Sequence, residues 1–303
     1  PYRPSPQNPA VLYALAPTPG RPAVLLEGYY EGERLYPRRN RNQLAAHLPG
    51  LARRFPRNDL FARATLPEIV GEDALAQASR WAATELRSGV FLSQVDGTRR
   101  FVPLPNLAQL APVEGLAIAD VDADGFLDLL FVQSSYAPDA SNGRFSGGLG
   151  GWLRGDGRGG FQAVPPRESG FIVPGDAEAL VLLDVNADGR PDAVVSRQGE
   201  PLLAYVNRHD KGRPLAVRLE GLPGNPTAVG ARVTLQRASG AVATAEVHAG
   251  SGYASQSAPA LFFGSGEDAP VRIVVRWPDG ATSEHDLASP VLTLRHPQLR
   301  SSR

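Results

Sequence analysis

The feature that most constrains this chain is a short acidic segment that occurs twice. Residues 119–128 read ADVDADGFLD, and residues 183–192 read LDVNADGRPD. Both copies follow the pattern D-x-[DN]-x-D-G-x-x-D, and their first aspartates, Asp120 and Asp184, are 64 positions apart. Such self-similarity predicts that the chain repeats one supersecondary unit and that each copy of the unit carries the same loop.

The spacing of the acids in this loop is typical of a calcium site. Calcium takes about six to eight hard oxygen ligands, and carboxylates at alternating positions converge when the loop curls around an ion. The glycine after the third acid allows the sharp turn, and four acids this close would repel one another without a cation. The predicted ligands are Asp120, Asp122, Asp124, Asp128 and the carbonyl of Phe126 in the first loop, and Asp184, Asn186, Asp188, Asp192 and the carbonyl of Arg190 in the second.

An EF-hand loop begins with the same pattern, but it needs a glutamate at position 12. That position is Phe131 in the first copy and Val195 in the second, and the flanking runs have the composition of strands. The sequence therefore predicts strand–loop–strand calcium sites. Acidic β-turns without a metal remain the alternative, which is stronger for the second loop because Asn186 removes a charge.

Short apolar segments separated by turns rich in Gly, Asp and Asn predict an all-β fold from residue 89 onward. The 32 glycines and 28 prolines among 303 residues favour many short strands. Segments 89–103 and 151–164 each predict a strand, a glycine turn and an aromatic residue that opens another strand. The predicted strands are 90–94, 116–119, 129–133, 151–153, 179–183, 193–196, 202–206, 215–219, 231–237, 241–247, 261–263, 271–277 and 291–294.

The first 88 residues have a different pattern. Residues 10–15 and 23–30 predict two strands joined by a turn at residues 17–20. Residues 41–88 predict a helical insertion of two helices. The apolar face of the first helix is Leu44, Leu48, Leu51 and Phe55, with Asn42 as its cap. The second helix begins at a capping box formed by Thr65 and Glu68, and its apolar face is Leu75, Ala78, Ala82 and Leu86.

Residues 89–209, with their two acidic loops, resemble FG-GAP (VCBS) repeats, the blades of integrin-like β-propellers. The resemblance implies that each loop binds calcium between two strands of one blade, in a partial propeller. Residues 1–40 resemble a degenerate blade of the same kind. The acids of the family would fall near residues 14–23, where this sequence has none, so no metal is expected there.

Residues 210–297 resemble the ASPIC/UnbV domain, a small β-domain that follows such repeats in cartilage acidic protein and in secreted bacterial proteins. The matching motifs are GARV at 230–233, GSGYASQS at 250–257, FFGSG at 262–266 and WPDG at 277–280. The family usually has Leu where this chain has Ser265. The resemblance implies a domain but no reaction, and residues 298–303 are expected to be frayed.

Composition excludes several classes of function. The formal net charge is +0 and no clustered basic face is indicated, so we expect no nucleic-acid partner. Lys211 is the only lysine, and we interpret this arginine bias as genomic composition rather than phosphate recognition. The absence of cysteine excludes disulfides, zinc–thiolate sites and cysteine catalysis. No apolar run is long enough to span a membrane. No signal peptide is visible, but the chain starts at Pro1 and contains no Met, so we expect it to be part of a longer, extracellular or cell-surface protein.

Several weaker motifs are better accounted for by local structure. Residues 155–160 match G-x-G-x-x-G, but a strand rather than a helix is predicted to follow, which argues against a dinucleotide site. Residues 154–156 form an Arg-Gly-Asp tripeptide inside the same glycine turn. Asp120 and Asp128 could form a carboxylate pair for glycoside hydrolysis, but calcium ligation accounts for them better. Residues 253–257 fit a tight loop better than a ligand site.

These observations predict a non-catalytic module that binds calcium. We expect it to act as a binding or scaffold module for protein or glycan ligands. No G-x-S-x-G elbow is present, and the five histidines are scattered without metal or triad spacing. The alternative is an accessory region of a secreted hydrolase or lyase whose catalytic part lies upstream.

Overall fold

The computed structural model describes residues 3–15, 22–136 and 143–300. The chain divides into two compact units, Pro1–Arg87 and Ser88–Arg303. Strands predominate over helices in the described residues, which confirms the predicted β character of the chain. No described helix has both the length and the apolar composition needed to cross a bilayer.

The first unit is one antiparallel sheet covered by short helices. Its strands are β1 (Ala10–Leu15), β2 (Val24–Glu31), β3 (Arg34–Pro37) and β4 (Ser79–Ala83), in the order β3-β2-β1-β4. Its helices are α1 (Arg41–Ala45), α2 (Leu51–Arg54), α3 (Asn58–Arg63), α4 (Leu66–Val70) and α5 (Glu72–Gln77). Tyr13 and Leu26 from the sheet share one core with Leu44, Leu66 and Ile69 from the helices.

The helical prediction for residues 41–88 is partly wrong. The first predicted helix is interrupted between α1, which ends at Ala45, and α2, which begins at Leu51, because Pro49 disfavours helical geometry at the preceding residue and Gly50 has φ +83°. Asn40, not Asn42, caps α1 through a capping box with Gln43. The capping box of Thr65 and Glu68 is confirmed.

The second predicted helix is interrupted at Gly71, between α4 and α5, and ends at Gln77, well before Ala82 and Leu86. Residues 79–83 instead form β4, which pairs along β1 from Ala10↔Ala83 to Ala14↔Ser79. The two predicted segments, 1–40 and 41–88, therefore build a single unit that ends at Arg87, because the last strand of the second segment completes the sheet of the first. The predicted turn at residues 17–20 lies outside the described residues.

The second unit begins with a hairpin and two sheets that carry the acidic loops. The hairpin is β5 (Gly89–Ser93) with β6 (Arg99–Pro103), followed by a 3-10 helix, Asn106–Gln109. The first sheet has the order β10-β9-β8-β7, with β7 (Val113–Ala119), β8 (Asp128–Gln133), β9 (Gly151–Gly155) and β10 (Phe161–Ala163). Helix α6 (Pro166–Ser169) leads to the second sheet, β11 (Ala177–Leu183), β12 (Asp192–Arg197) and β13 (Glu200–Tyr205).

The two loop-bearing sheets pack against each other around a common core. Leu130, Val132 and Trp152 of the first sheet share this core with Leu180 and Val195 of the second. Strands β7 and β11 approach closely at Gly115, where an added Cβ would lie 2.8 Å from the Leu180 nitrogen. A larger residue at position 115 would therefore separate the two sheets.

The C-terminal part is a two-sheet sandwich. One sheet is β17-β14-β20 and the other is β16-β15-β18-β19. The strands are β14 (Pro214–Glu220), β15 (Arg232–Arg237), β16 (Val242–Glu246), β17 (Ala260–Gly264), β18 (Pro270–Arg276), β19 (Thr282–His285) and β20 (Val291–Arg295). Val217, Val233, Ile273, Val275 and Trp277 meet in its core, as expected for two sheets that each bury one face.

Every strand predicted from residue 89 onward is present, within a few residues of its expected ends. Strands β3, β4 and β19 were not predicted. The expected frayed end begins instead with a short helix, α7 (Pro297–Arg300), and residues 301–303 lie outside the described part of the chain.

Candidate metal centre

The first acidic loop joins β7 to β8, directly after the pair Ala119↔Asp128 closes the hairpin. Asp120 and Asp122 are each 4% exposed. One carboxylate oxygen each from Asp120, Asp122 and Asp124 lies within 4.8 Å of the other two. The structure therefore brings together three of the predicted ligand side chains, in a group of the size that one cation could occupy.

Backbone donors shape this loop around Asp120. The Asp124 N–H donates to Asp120 Oδ1 (3.1 Å) and the Gly125 N–H donates to Asp120 Oδ2 (2.8 Å). The Phe126 N–H donates to Asp124 Oδ1 (2.8 Å). Ala123 at φ 58° and Gly125 at φ 101° bend the chain so that these donors point inward.

The electrostatics of the cluster suit a cation. The pKa of Asp120 is raised to about 7, chiefly by burial; the Gly125 N–H opposes the rise, and the neighbouring carboxylates contribute to it. Burial also raises the pKa of Asp124, with a contribution from Asp122. Negative charge in this loop is therefore disfavoured in the absence of a counter-ion.

Asp128 is held by a different set of bonds. Its Oδ2 accepts from the Val121 N–H (3.1 Å) and its Oδ1 from the Gly155 N–H (2.8 Å), and the side chain is fully buried. Asp128 thus fastens the loop to strand β9, and it does not belong to the group of three carboxylates. Burial raises its pKa to about 6. Its predicted role as a ligand, and that of the Phe126 carbonyl, stay predictions.

The second acidic loop repeats this hydrogen-bond pattern between β11 and β12. The Asp188 and Gly189 N–H groups donate to the two oxygens of Asp184, each at 3.2 Å. The Val185 and Asn207 N–H groups donate to the two oxygens of Asp192 at 2.8 and 2.7 Å. Ala187 at φ 59° and Gly189 at φ 85° match the turn of the first loop.

The two loops differ in chemistry at their third position. Asn186 is exposed, and its amide donates to Asp188 Oδ2 (2.8 Å). Among the described residues, three acids converge only in the first loop. The Arg190 side chain is buried, and its Nη2 donates to the Lys211 carbonyl (2.7 Å); its own carbonyl stays a predicted ligand. The structure thus favours the first loop as the stronger cation site.

An arginine that the sequence did not predict lies beside the cluster. Arg154 Nε lies 2.6 Å from Asp122 Oδ2, and the guanidinium lies 5.0 Å from the centroid of the Trp152 ring. The arginine belongs to the Arg-Gly-Asp tripeptide at residues 154–156, and no spacing rule links it to Asp122. Only the pairing of β8 with β9 brings the two side chains together.

The C-terminal sandwich also contacts the first loop. The Gly266 N–H donates to the Ala123 carbonyl (2.9 Å), and Arg237 Nη2 donates to the carbonyls of Gly125 (3.1 Å) and Gly264 (2.8 Å). Asn207 Nδ2 donates to the Val121 carbonyl (2.7 Å). The backbone oxygens of the loop are therefore held by residues far along the chain.

The weaker motifs have local structural roles. Residues 155–160 form the turn between β9 and β10, where Asp156 Oδ1 accepts from the Arg158 and Gly160 N–H groups. No helix follows this turn, so it does not form a dinucleotide-binding element. Residues 250–257 form a loop closed on itself, for example by the Ser257 N–H on Ser251 Oγ (2.8 Å).

The described histidines do not assemble a catalytic triad. Ser283 Oγ lies 2.9 Å from His285 Nε2, but the same hydroxyl accepts from Trp277 Nε1 (2.9 Å). Asp279, the nearby acid, lies 3.2 Å from His296. The serine is thus part of a hairpin network around the buried Trp277.

Comparison with known proteins identifies the C-terminal part. A search of curated proteins found no match. Residues 221–297 match the family described as ASPIC and UnbV. Strand β14 precedes the matched range but pairs with β17 and β20, so the structural domain starts before the match. The C-terminal sandwich of this chain is an ASPIC/UnbV domain, as the sequence predicted.

Proposed function

We propose that this chain is a non-catalytic, extracellular module that binds calcium through Asp120, Asp122 and Asp124. The observation that carries the proposal is the convergence of these three carboxylates in one loop, with Asp120 and Asp122 buried. The loop-bearing sheets β7–β10 and β11–β13 are, in this proposal, blades of an FG-GAP-type propeller. The repeated loops and the shared core of the two sheets support this assignment.

The donor set favours calcium over other common metals. The candidate ligands are oxygen atoms, and neither Cys nor His belongs to the cluster, whereas typical zinc sites are built mainly from Cys sulfur and His nitrogen. Calcium tolerates irregular oxygen coordination completed by carbonyls and water. A bound calcium would neutralise carboxylates whose burial opposes their ionisation, and it would fix the turn between β7 and β8.

The module is proposed to present its surface to a protein or glycan ligand. A cleft of about 420 Å³ adjoins the first loop, between the loop-bearing sheet and the ASPIC/UnbV sandwich. Phe126, Phe161 and Phe262 contribute apolar walls, and Asp120 and Arg237 also line it. A calcium-fixed loop would hold one wall of this cleft in place.

Calorimetric titration of the full chain with calcium tests the proposal. We expect binding with a dissociation constant of about 10⁻⁴–10⁻³ M, as in other extracellular calcium modules. Asp124→Ala should remove the stronger site, because it deletes one of the three converging carboxylates. Asp73→Ala removes the same charge from an exposed position in the first unit and serves as the control. Absence of binding, or equal loss in both variants, would refute the proposal.

A further inference from the structure

The Arg154–Asp122 pair occurs at one acidic loop and has no equivalent at the other. Leu129 pairs with Leu153 on β9, so Arg154 is the next residue along that strand. In the second sheet the corresponding pair is Ala193↔Tyr205, so Val206 occupies the position of Arg154. The bonds of the next residues agree with this alignment, because Gly155 and Asn207 donate to Asp128 and Asp192 in the same way.

The difference at this position matches a difference in the loops. The first loop has Asp122 at its third position and Arg154 on the adjacent strand, and the second has Asn186 and Val206. By formal charge, Asp120, Asp122 and Asp124 contribute three negative charges, and Arg154 offsets one of them. In the second loop, Asp184 and Asp188 contribute two negative charges. Asn186 and Val206, which occupy the positions of Asp122 and Arg154, are neutral. Each loop therefore has the same net charge of two negatives at these positions.

The contacts of Asp122 show how the arginine acts. The side chain of Asp122 is 5% exposed, and its Oδ1 accepts from the Asp124 N–H (3.3 Å). Its other oxygen, Oδ2, faces the Arg154 guanidinium. A buried carboxylate without a partner is costly, and the arginine supplies that partner from within the chain.

We propose that Arg154 is a resident counter-cation of the first loop, which neutralises Asp122 until a divalent cation takes its place. The inference rests on the proposed calcium site and adds its regulation. Arg154 lowers the affinity of the loop for calcium in two ways. It occupies an oxygen of Asp122, and its positive charge repels the incoming ion. In return, it keeps the metal-free loop folded.

The test compares the calcium affinities of variants of the first loop. All of them carry Asp188→Ala, which removes a predicted ligand of the second loop so that only the first site is measured. Arg154→Gln should bind calcium about tenfold more tightly than the parent, because a positive charge a few ångströms from the ion has been removed. Arg158→Gln is the matched control, since Arg158 is an exposed arginine in the turn that follows β9. It removes the same charge and should change affinity by less than about twofold, because solvent screens exposed charges.

Two further variants isolate the charge of Arg154 as the cause of the change in affinity. Asp122→Asn/Arg154→Gln reproduces the chemistry of the second loop and should return the affinity close to that of the parent. Arg154→Val introduces the residue type found at position 206. It removes the same charge and replaces Arg154→Gln in the test if that variant does not fold. In metal-free buffer Arg154→Gln should melt at a lower temperature than Arg158→Gln, since Asp122 loses its partner.

The outcomes separate this inference from the proposed function. If the parent binds calcium but Arg154→Gln and Arg154→Val bind no more tightly than Arg158→Gln, Arg154 is not a competitor and the inference is overturned alone. If neither the parent nor any Arg154 variant binds calcium, both the inference and the proposed function fail.

Discussion

Asp120 shows how a single residue can make a fold depend on a ligand. Its carboxyl is buried beside three other acids, and its pKa is raised to about 7. In the unfolded chain an aspartate titrates near 3.9. Ionisation of Asp120 therefore opposes folding unless a cation or a proton compensates the charge.

The pH dependence of stability follows from this shift. Between about pH 4 and pH 7 the folded state binds more protons than the unfolded state, so the free energy of unfolding falls as pH rises. The loss of stability caused by ionisation of Asp120 is complete above pH 7 and absent below pH 4. We expect metal-free protein to be less stable at pH 8 than at pH 5.5, with a slope of up to about 1.4 kcal/mol per pH unit from this group.

Urea titrations of the parent and of Asp120→Asn measure this slope. Since other groups also titrate in this range, the informative quantity is the difference between the two proteins. The parent should lose more stability than Asp120→Asn as pH rises, and saturating calcium should remove most of the difference. Equal slopes in metal-free buffer would contradict the proposed origin of the effect.

The turn of each acidic loop depends on its glycine. Gly125 and Gly189 have φ of 101° and 85°, which a residue with a Cβ adopts only with strain. Their surroundings differ. A Cβ on Gly125 would meet the Arg237 guanidinium at 3.2 Å, whereas a Cβ on Gly189 would meet the Pro290 carbonyl oxygen at 2.6 Å.

We therefore expect Gly189→Ala to be more destabilising than Gly125→Ala. Each variant bears a conformational cost of about 1–2 kcal/mol. The arginine side chain can move away from a new methyl group, but the backbone at Pro290 cannot do so without shifting the segment before β20. Chemical denaturation in metal-free buffer measures both costs, and an equal or smaller loss for Gly189→Ala would show that the backbone at Pro290 yields easily.

At the scale of the whole molecule, the ASPIC/UnbV sandwich and the first acidic loop are in direct contact. Gly266 and Arg237 bind the carbonyls of Ala123 and Gly125, and all four residues belong to the same compact unit. A ligand that orders the loop should therefore stabilise the sandwich as well.

Calcium should raise the melting temperature of the sandwich, although none of the residues predicted to bind calcium lies in the sandwich. Mass action at one site supplies about 2.7 kcal/mol at a hundredfold excess over the dissociation constant. The fluorescence of Trp277, which lies in the sandwich core, reports the transition in a Trp81→Phe/Trp152→Phe background. Arg237→Ala should reduce the calcium-induced shift, because it removes the bonds to Gly125 and Gly264.

Arg272→Ala is the control for this experiment, since Arg272 is a surface arginine paired with Glu284 on the neighbouring strand. It should leave the calcium-induced shift unchanged. A Trp277 transition that does not respond to calcium in the parent, when calorimetry shows binding, would mean that the loop and the sandwich are not coupled.

The sequence alone determined the local features of this protein. The short apolar runs on either side of residues 120–127 and 184–191 predicted the strands that flank both loops, because strand and turn preferences act over a few positions. The acid spacing predicted that Asp120, Asp122 and Asp124 converge. The motifs at residues 230–280 predicted the ASPIC/UnbV domain. All these features depend on residues close together in the chain.

Tertiary structure decided what depends on distant residues. Residues 79–83 have helical spacing with the segment before them, yet they form β4, since the edge of β1 offers unpaired backbone groups. Asp128 stays a predicted ligand, and only the packing of the next strand places the Gly155 N–H on one of its oxygens. Arg154 meets Asp122, and Arg237 meets Gly125, only because strands distant in sequence are packed side by side. A sequence pattern specifies which groups a loop carries, whereas the neighbouring strands specify which of those groups remain available to an ion.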